Sequence, residues 1–78
     1  LPLDYDELRW EMGIRIAYVR KRKHWDQERL AKETGMSRSY ISKIETGECG
    51  SGISLETYAL IADALNTPLW KLVKVDEE

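Results

Sequence analysis

The sequence predicts an all-α fold in which five helices form one small bundle. Its 78 residues are the size of a single domain with a modest core. Apolar residues recur at the three- and four-residue spacing of amphipathic helices, and residues that favour helix starts precede these segments. Because no internal repeat, low-complexity tract or linker divides the chain, residues 1–78 are expected to form one domain.

The first helix is expected to begin near Asp4 or Asp6 and to continue to about Lys23. Asp4 together with Glu7 resembles a capping box, which satisfies free backbone amides in the first turn of a helix. Gly13 is expected to weaken the middle of this helix. The apolar residues spaced to face the core are Leu8, Met12, Ile16 and Val19.

Two short helices are expected on either side of the turn at residues 34–37. Asp26 is suited to cap the first helix, and Ser37 is suited to cap the second. Gly35 can end the first helix in the left-handed conformation, which glycine adopts at little cost. The positions expected to face inward are Leu30, Ala31, Met36, Ile41 and Ile44. A turn this compact sets the second helix steeply across the first, which is the helix-turn-helix arrangement.

Two more helices complete the expected bundle. The fourth should run from about Leu55 to Leu65 after Ser54 as its cap, and Thr67-Pro68 should introduce the fifth, because proline suits a first helical turn. The fourth helix is expected to bury some of Leu55, Tyr58, Ala59, Ile61, Ala62 and Leu65. The fifth should contribute Leu69, Trp70 and Leu72.

The third helix carries four polar residues that we call its outer face, namely Arg38, Ser39, Ser42 and Lys43. A helix that crosses its neighbour steeply and presents such a face fits the major groove of DNA. Two solvated helices of any small bundle would show a similar pattern, so the pattern alone leaves both interpretations open.

Charge is distributed unevenly along the chain. The net charge of −2 argues by itself against binding to nucleic acid. From Arg15 to Lys43, however, nine Lys or Arg and three Asp or Glu give +6, whereas residues 1–14 carry −3 and residues 44–78 carry −5. The positive charge therefore coincides with the helix-turn-helix, as attraction to DNA phosphates requires. A merely solvated face is the alternative explanation of such a charge run.

These residues resemble the Cro and phage-repressor type of helix-turn-helix, the Xre-like family of bacterial and phage transcriptional regulators. The resemblance covers about residues 14–72. The matching positions are Arg20, Gln27 to Ala31, Gly35, Ser37 to Glu45, Gly47, Ser54 to Thr57 and Ile61 to Leu65. It implies a five-helix lambda-repressor-like domain whose second and third helices form the motif and whose partner is double-stranded DNA.

The outer face is expected to read bases. Arg38 lies at the start of the recognition helix, where its guanidinium could bind the O6 and N7 edge of guanine. Ser39 could reach a base or a phosphate, and Ser42 and Lys43 lie one turn later.

Contacts to the DNA backbone are expected from Gln27, Ser37, Tyr40 and Thr46. Gln27 matches the family glutamine that clamps the backbone together with the helix N-terminus. A half-buried packing role is the alternative for Tyr40.

The resemblance also implies a structural ion pair between Arg20 and Glu45, which would tie the first helix to the end of the recognition helix. An exposed Arg20 that contacts phosphates is the competing interpretation.

The loop after Gly47 departs from the family pattern. Family members usually carry a basic residue or two there, whereas this chain has Glu48 followed by Cys49 and a Gly-Ser-Gly stretch. Since Glu48 would oppose a phosphate, the affinity of one monomer is expected to be modest.

A homodimer on a palindromic site, with recognition helices about 34 Å apart, is the arrangement that the resemblance implies. The candidate interface comprises Leu69, Trp70, Leu72, Val73 and Val75, with contributions from Leu1, Leu3 and Tyr5. These residues could instead close the core of a monomer. They could also lie under another domain, because a chain that begins with Leu1 is expected to be a trimmed or partial protein.

Other classes of function find little support in the sequence. His24 has no Cys, Asp or Glu partners at metal-ligand spacing, so neither a metal nor another cofactor is expected. The single Cys49 excludes an intrachain disulfide and suits a reducing cytosol. No nucleophile, base and acid constellation indicates an enzyme, and no apolar run or signal peptide indicates a membrane or secreted protein. A cytoplasmic, nucleoid-associated bacterial or phage protein is expected.

The sequence therefore favours a sequence-specific DNA-binding transcriptional regulator, a repressor that binds a palindromic operator as a dimer. Two alternatives stay open. One is the antitoxin of a toxin–antitoxin pair, which uses the same fold to bind a protein toxin. The other is a protein-binding adaptor that has lost DNA binding, for which the acidic termini and Glu48 are the best argument.

Overall fold

The computed structural model describes residues 4–48 and 52–73, and these residues form five helices. They are α1 (Tyr5–Arg22), α2 (Gln27–Thr34), α3 (Arg38–Thr46), α4 (Leu55–Ala64) and α5 (Leu69–Val73). No strand occurs within the described ranges. The all-α, five-helix prediction is confirmed.

Side-chain caps define where four of the helices begin. The Asp4 carboxylate accepts hydrogen bonds from the amides of Asp6 and Glu7 at the start of α1. The caps of the next three helices are Asp26 on the Arg29 amide, Ser37 on the Tyr40 amide and Ser54 on the Thr57 amide. Each cap satisfies an amide that the helix itself cannot, which stabilises a helix by about 1 kcal/mol.

The core lies where α1 packs against α3 and α5, and where α2 packs against α3 and α4. Its fully buried large side chains come from all five helices or their caps, and they are Ile16, Leu30, Ile41, Ile44, Ile61, Leu65 and Leu72. Leu8, Val19 and Met36 pack against this cluster from its edge. The inward-facing positions predicted for α1, α2 and α3 therefore lie in or against the core.

Two residues considered for burial in α4 point to solvent. Leu55 is 68% exposed, and Ala59 is also exposed. The core side of α4 consists instead of Tyr58, Ile61 and Ala62, with Leu65 just after its end. These residues are spaced three and four positions apart and so lie on one face of the helix. The neighbouring helices cover that face but do not cover Leu55 or Ala59.

Gly13 has a role that its helix propensity does not reveal. It is buried in α1, and a Cβ built on it would lie 2.4 Å from the carbonyl oxygen of Ile44 and 2.8 Å from that of Glu45. These atoms belong to the α3 backbone, so no side-chain movement could relieve the clash. Gly13 therefore permits α1 to approach the end of α3 closely.

Candidate nucleic-acid interface

The turn between α2 and α3 is fixed by local hydrogen bonds and by burial on both sides. Gly35 ends α2 in the left-handed conformation, with φ of 76°. The Met36 amide donates to the Ala31 carbonyl at 3.1 Å, and the Thr34 hydroxyl donates to the Leu30 carbonyl at 2.8 Å. The turn leads directly to Ser37, the cap of α3, and so sets where α3 begins.

The outer face of α3 is open to solvent in the described structure. Arg38, Ser39 and Lys43 are exposed, and Ser42 is half-buried. The opposite side of the helix carries Ile41 and Ile44, which are fully buried. Three ion pairs occur among residues 4–48 and 52–73, and neither Arg38 nor Lys43 takes part in them. Neither cation is therefore neutralised by a described carboxylate.

Beneath this helix lies a buried ion pair between α1 and α3. Arg20 Nε donates to Glu45 Oε2 at 2.7 Å, and Arg20 Nη2 donates to Glu45 Oε1 at 2.9 Å. Arg20 is only 6% exposed and Glu45 only 8%. The two residues that the resemblance paired are thus in bidentate contact, and Arg20 is not presented to solvent as the competing interpretation required.

The ion pair extends into a network that reaches α2. Arg20 Nη1 donates to the Trp25 carbonyl at 2.7 Å, and Gln27 Nε2 donates to Glu45 Oε1 at 3.0 Å. Buried charges are stable only when such hydrogen bonds satisfy them. The network therefore holds the start of α2 and the end of α3 in a fixed relation to α1.

Trp25 belongs to this arrangement, although sequence reasoning gave it no specific part. Its ring lies 4.3 Å from the Arg29 guanidinium carbon and 5.9 Å from Lys23 Nζ, within the range of cation–π contacts. The ring also packs against the core. The sequence pattern that could have indicated this contact is an aromatic residue with a basic residue two positions before it and another four positions after it.

The residues expected on the DNA backbone already make contacts within the chain. Ser37 Oγ accepts from the Tyr40 amide at 3.0 Å, and Thr46 Oγ1 donates to the Ser42 carbonyl at 3.1 Å. Tyr40 is half-buried against the core, and Gln27 is half-buried in the ion-pair network. The structure thus places Gln27 at the start of α2, Ser37 and Tyr40 at the start of α3 and Thr46 at its end, and it gives each a contact within the chain.

At the far end of α3, Gly47 adopts a left-handed conformation with φ of 77°. A Cβ on Gly47 would lie 3.2 Å from the Trp10 ring, so α1 also covers this end of the recognition helix. Glu48 follows and is exposed. Cys49, Gly50 and Ser51 lie outside the described residues.

The candidate dimer interface divides into core and surface. Leu72 is fully buried within the chain and Leu69 packs against the core, so Leu72 in particular is not available to a partner. Its burial follows from the packing of α5 on α1 and α4. By contrast, Trp70 is 59% exposed and Val73 is 40% exposed. Tyr5 is exposed as well, whereas Val75, Leu1 and Leu3 lie outside the described residues.

Within the described residues, no cluster of three or more His, Cys, Asp or Glu could hold a metal ion, and His24 is an exposed residue with φ of 62°. None of the described helices has the length and apolarity needed to cross a bilayer.

A short capped helix, a tight left-handed turn and a second capped helix with a polar outer face define a helix-turn-helix domain. The sequence model of the helix-turn-helix family matches residues 16–69, and the chain belongs to this family. Its resemblance to the Cro and phage-repressor type of transcriptional regulator is confirmed.

Two relatives support the same class. A hypothetical transcription factor of Neisseria meningitidis serogroup B is 29% identical over 75 residues, covering 96% of this chain and 69% of that protein. A 10 kDa protein of the ImmF control region of Bacillus phage phi105 is 41% identical over 59 residues, covering 76% of this chain. The matched part is 63% of the phage protein's length, slightly less than two thirds.

Two crystal structures share the fold. The hypothetical transcription factor NHTF from Neisseria aligns with a TM-score of 0.80 and 30% identity, covering 95% of this chain and 86% of that one. The restriction-modification controller protein C.AhdI from Aeromonas hydrophila aligns with a TM-score of 0.74 and 32% identity, covering 81% of this chain and 92% of that one.

Proposed function

We propose that this protein binds a palindromic DNA operator as a two-fold dimer and represses transcription by occupying a site that polymerase needs. The observation that carries the proposal is the outer face of α3, where Arg38 and Lys43 are exposed and no described carboxylate pairs with them. The similarity to a phage control-region protein and to a restriction-modification controller supports a regulatory function.

Base recognition is assigned to the outer face. Arg38 is the first residue of α3, so its guanidinium can enter the major groove ahead of the rest of the helix and bind guanine through two hydrogen bonds. Ser39 is its neighbour, and Lys43 lies about one turn further along. Ser42, being half-buried, has a shorter reach and suits a contact at the edge of the groove.

Backbone contacts are assigned to the helix ends. The Gln27 side-chain nitrogen carries two hydrogens, of which one is donated to Glu45, so the other can meet a phosphate. The free amides in the first turn of α2 support the same contact. Ser37, Tyr40 and Thr46 can add hydroxyl contacts at the two ends of α3.

Dimerisation is assigned to the exposed part of α5. Trp70 and Val73 offer apolar surface that no described residue covers completely, and aromatic residues of this kind are enriched in the centres of protein interfaces. A two-fold arrangement would pair the same surface on both copies and match the symmetry of a palindromic site.

The first test is binding of the purified chain to a duplex selected from a random pool, followed by fluorescence anisotropy over a range of salt concentrations. We expect affinity to fall steeply with added salt, because phosphate contacts release counterions. Lys43→Ala should weaken binding, whereas Lys32→Ala, which removes the same charge from the exposed side of α2, is the matched control. A folded chain that selects no duplex would instead support the protein-binding alternatives.

The second test is sedimentation with and without the selected duplex. We expect two chains per palindromic duplex, and a Trp70→Ala variant that binds with lower affinity while its helical content is unchanged. A single chain on each duplex at saturation would contradict the dimer.

A further inference from the structure

A cavity of about 540 Å³ lies between the second half of α1 and the turn that joins α4 to α5. Small-molecule sites typically have volumes of about 300–1,000 Å³. Its walls include Arg15, Tyr18 and Arg22 from α1, with Thr67, Trp70 and Lys71 from the other side. None of its lining residues belongs to α2 or α3, so the cavity is separate from the outer face that we assign to DNA.

The cavity is positively charged. Arg15, Arg22 and Lys71 line it, and no Asp or Glu among residues 4–48 and 52–73 does. The three ion pairs among the described residues join Arg9 to Asp6, Arg20 to Glu45 and Arg29 to Glu33, so none of them neutralises a cavity cation. When the charges that line a concave surface are all positive, their electric field is concentrated there and attracts anions.

Two aromatic rings add flat apolar surface to the same walls. Tyr18 is 58% exposed and Trp70 is 59% exposed. The Arg22 guanidinium lies 5.8 Å from the Tyr18 ring centroid, and Lys71 Nζ lies 5.7 Å from that of Trp70. Each ring thus has a cation over it at cation–π distance, and a ligand with an aromatic ring and an attached anionic group could replace that contact with stacking on the ring and an ion pair to the cation.

Arg15 supplies a third observation. Its Nε–H is buried without a hydrogen-bond acceptor among the described residues, although most buried donors in proteins have one. An anion attracted to this guanidinium could accept from it after a small rotation of the side chain. Arginine is well suited to that contact because its donors match the oxygens of a carboxylate or phosphate.

We propose that this cavity binds a small aromatic anion, in which a flat ring carries a carboxylate or a phosphate. The ring would stack on Trp70 or Tyr18, and the anionic group would lie among Arg15, Arg22 and Lys71. A phosphate of duplex DNA would satisfy the cations but leave both rings unused, so it fits the cavity less well. The site would give the regulator a ligand that is bound independently of DNA.

The experiment is an NMR titration of the ¹⁵N-labelled chain without DNA, so that its outcome does not depend on the DNA-binding proposal. The probes are indole-3-acetate, adenosine monophosphate, inorganic phosphate and neutral indole. We expect saturable shifts around Tyr18, Thr67 and Trp70 with a ring-bearing anion, and an affinity about tenfold or more above those of phosphate and indole. The tighter of the two ring-bearing anions shows whether the cavity prefers an indole carboxylate or a purine nucleotide.

Variants at the cavity sharpen the test. Trp70→Leu and Lys71→Gln should each weaken the ring-bearing anion about five- to tenfold, whereas Lys32→Gln, with the same loss of charge outside the cavity, should not. Since Lys71 is exposed and has no part in the proposed dimer interface, Lys71→Gln should keep the wild-type melting temperature, and Trp70→Leu should keep the wild-type helical content. Sedimentation at the titration concentration separates loss of the ring from a change in oligomeric state, because Trp70 is also a candidate interface residue.

Three results would overturn the proposal. One is the absence of saturable shifts with either ring-bearing anion. Another is inorganic phosphate binding as tightly as those anions, which would leave the rings without a function. The third is an equal loss of affinity for the ring-bearing anion in Lys32→Gln and Lys71→Gln. That result would mean that the anion binds by general electrostatic attraction and not in the cavity.

Discussion

The two sides of α3 follow different physical rules. On the inner side, Ile41, Ile44 and Glu45 are buried. The α1 backbone approaches α3 so closely there that a Cβ would not fit at Gly13. On the outer side, Arg38 and Lys43 have no described ion-pair partner. The inner side is satisfied by contacts within the chain, whereas no described residue pairs with the cations of the outer side.

Within the nine residues of α3, the residues that stabilise the fold are therefore different from those proposed to recognise DNA. Substitutions on the inner side should unfold or loosen the domain, and they should affect DNA binding only through that loss. Substitutions on the outer side should leave stability almost unchanged and affect binding directly. Each of the following variants tests whether one helix is divided in this way.

The largest effect is expected from Glu45→Gln. This change leaves the Arg20 guanidinium buried without a counter-charge, and breaking a buried pair from one side costs about 3–5 kcal/mol. Small domains can have total stabilities as low as about 5 kcal/mol, so the variant should retain about 0–2 kcal/mol, and between a few per cent and about half of it should be unfolded at room temperature. Urea denaturation followed by tryptophan fluorescence measures the loss.

A double-mutant cycle is the control for that variant. The cycle compares Arg20→Met and Glu45→Met with the double variant, which removes the stranded charge and should recover part of the stability that each single variant loses. Losses that simply add would show that the two side chains are not energetically coupled.

The next largest effect on stability is expected from Gly13→Ala. Two explanations predict opposite signs for the change in the free energy of unfolding, so the sign decides between them. Helix propensity alone predicts that alanine stabilises α1 by up to about 1 kcal/mol. The contact of 2.4 Å with the Ile44 carbonyl oxygen predicts the opposite, a loss of about 2 kcal/mol, because a backbone atom must move. Ala17→Gly, in the same helix, calibrates the propensity term. A more stable Gly13→Ala variant would show that α1 does not approach α3 as closely as described.

A smaller loss of stability is expected from Ser37→Ala. Its hydroxyl caps α3 through the Tyr40 amide, and removal of such a cap costs about 1 kcal/mol. Ser39→Ala is the matched control, since Ser39 is exposed on the same helix and should change stability by less than about 0.5 kcal/mol. Equal losses in thermal denaturation would mean that Ser37 does not act as a cap.

Much of this division could be predicted from the sequence, because it depends on local chemistry. The caps Asp26 and Ser37, the left-handed Gly35 and the inward spacing of Ile41 and Ile44 involve residues within one or two turns of each other. The family resemblance added the pairing of Arg20 with Glu45, which no local pattern specifies.

The parts that could not be predicted depend on residues far apart in the chain. The function of Gly13 is set by the carbonyl of Ile44, which only the packed fold brings near. Leu72 was ambiguous because α5 has five residues, too few for periodicity to separate its core side from its surface. Leu55 was ambiguous for a different reason, because an apolar residue at a helix start can be either buried or exposed.

The smallest effect on stability is expected from Arg38→Ala. The side chain is exposed and unpaired among the described residues, so the free energy of unfolding should change by less than about 0.5 kcal/mol. Binding to the selected operator should nonetheless weaken by about 1–3 kcal/mol, because a bidentate contact to guanine is lost. Urea denaturation and anisotropy on one preparation measure both quantities, and a large loss of stability would assign Arg38 to the inner, structural side.

The most direct test of the outer side is a random-duplex selection carried out in parallel with the wild-type chain and Arg38→Ala. If α3 reads bases, the wild type should select a palindromic sequence with a guanine at one position of each half-site. The variant should lose that preference while keeping the others. The same selected sequence from both chains, or no enrichment with the wild type, would contradict base recognition by the outer face.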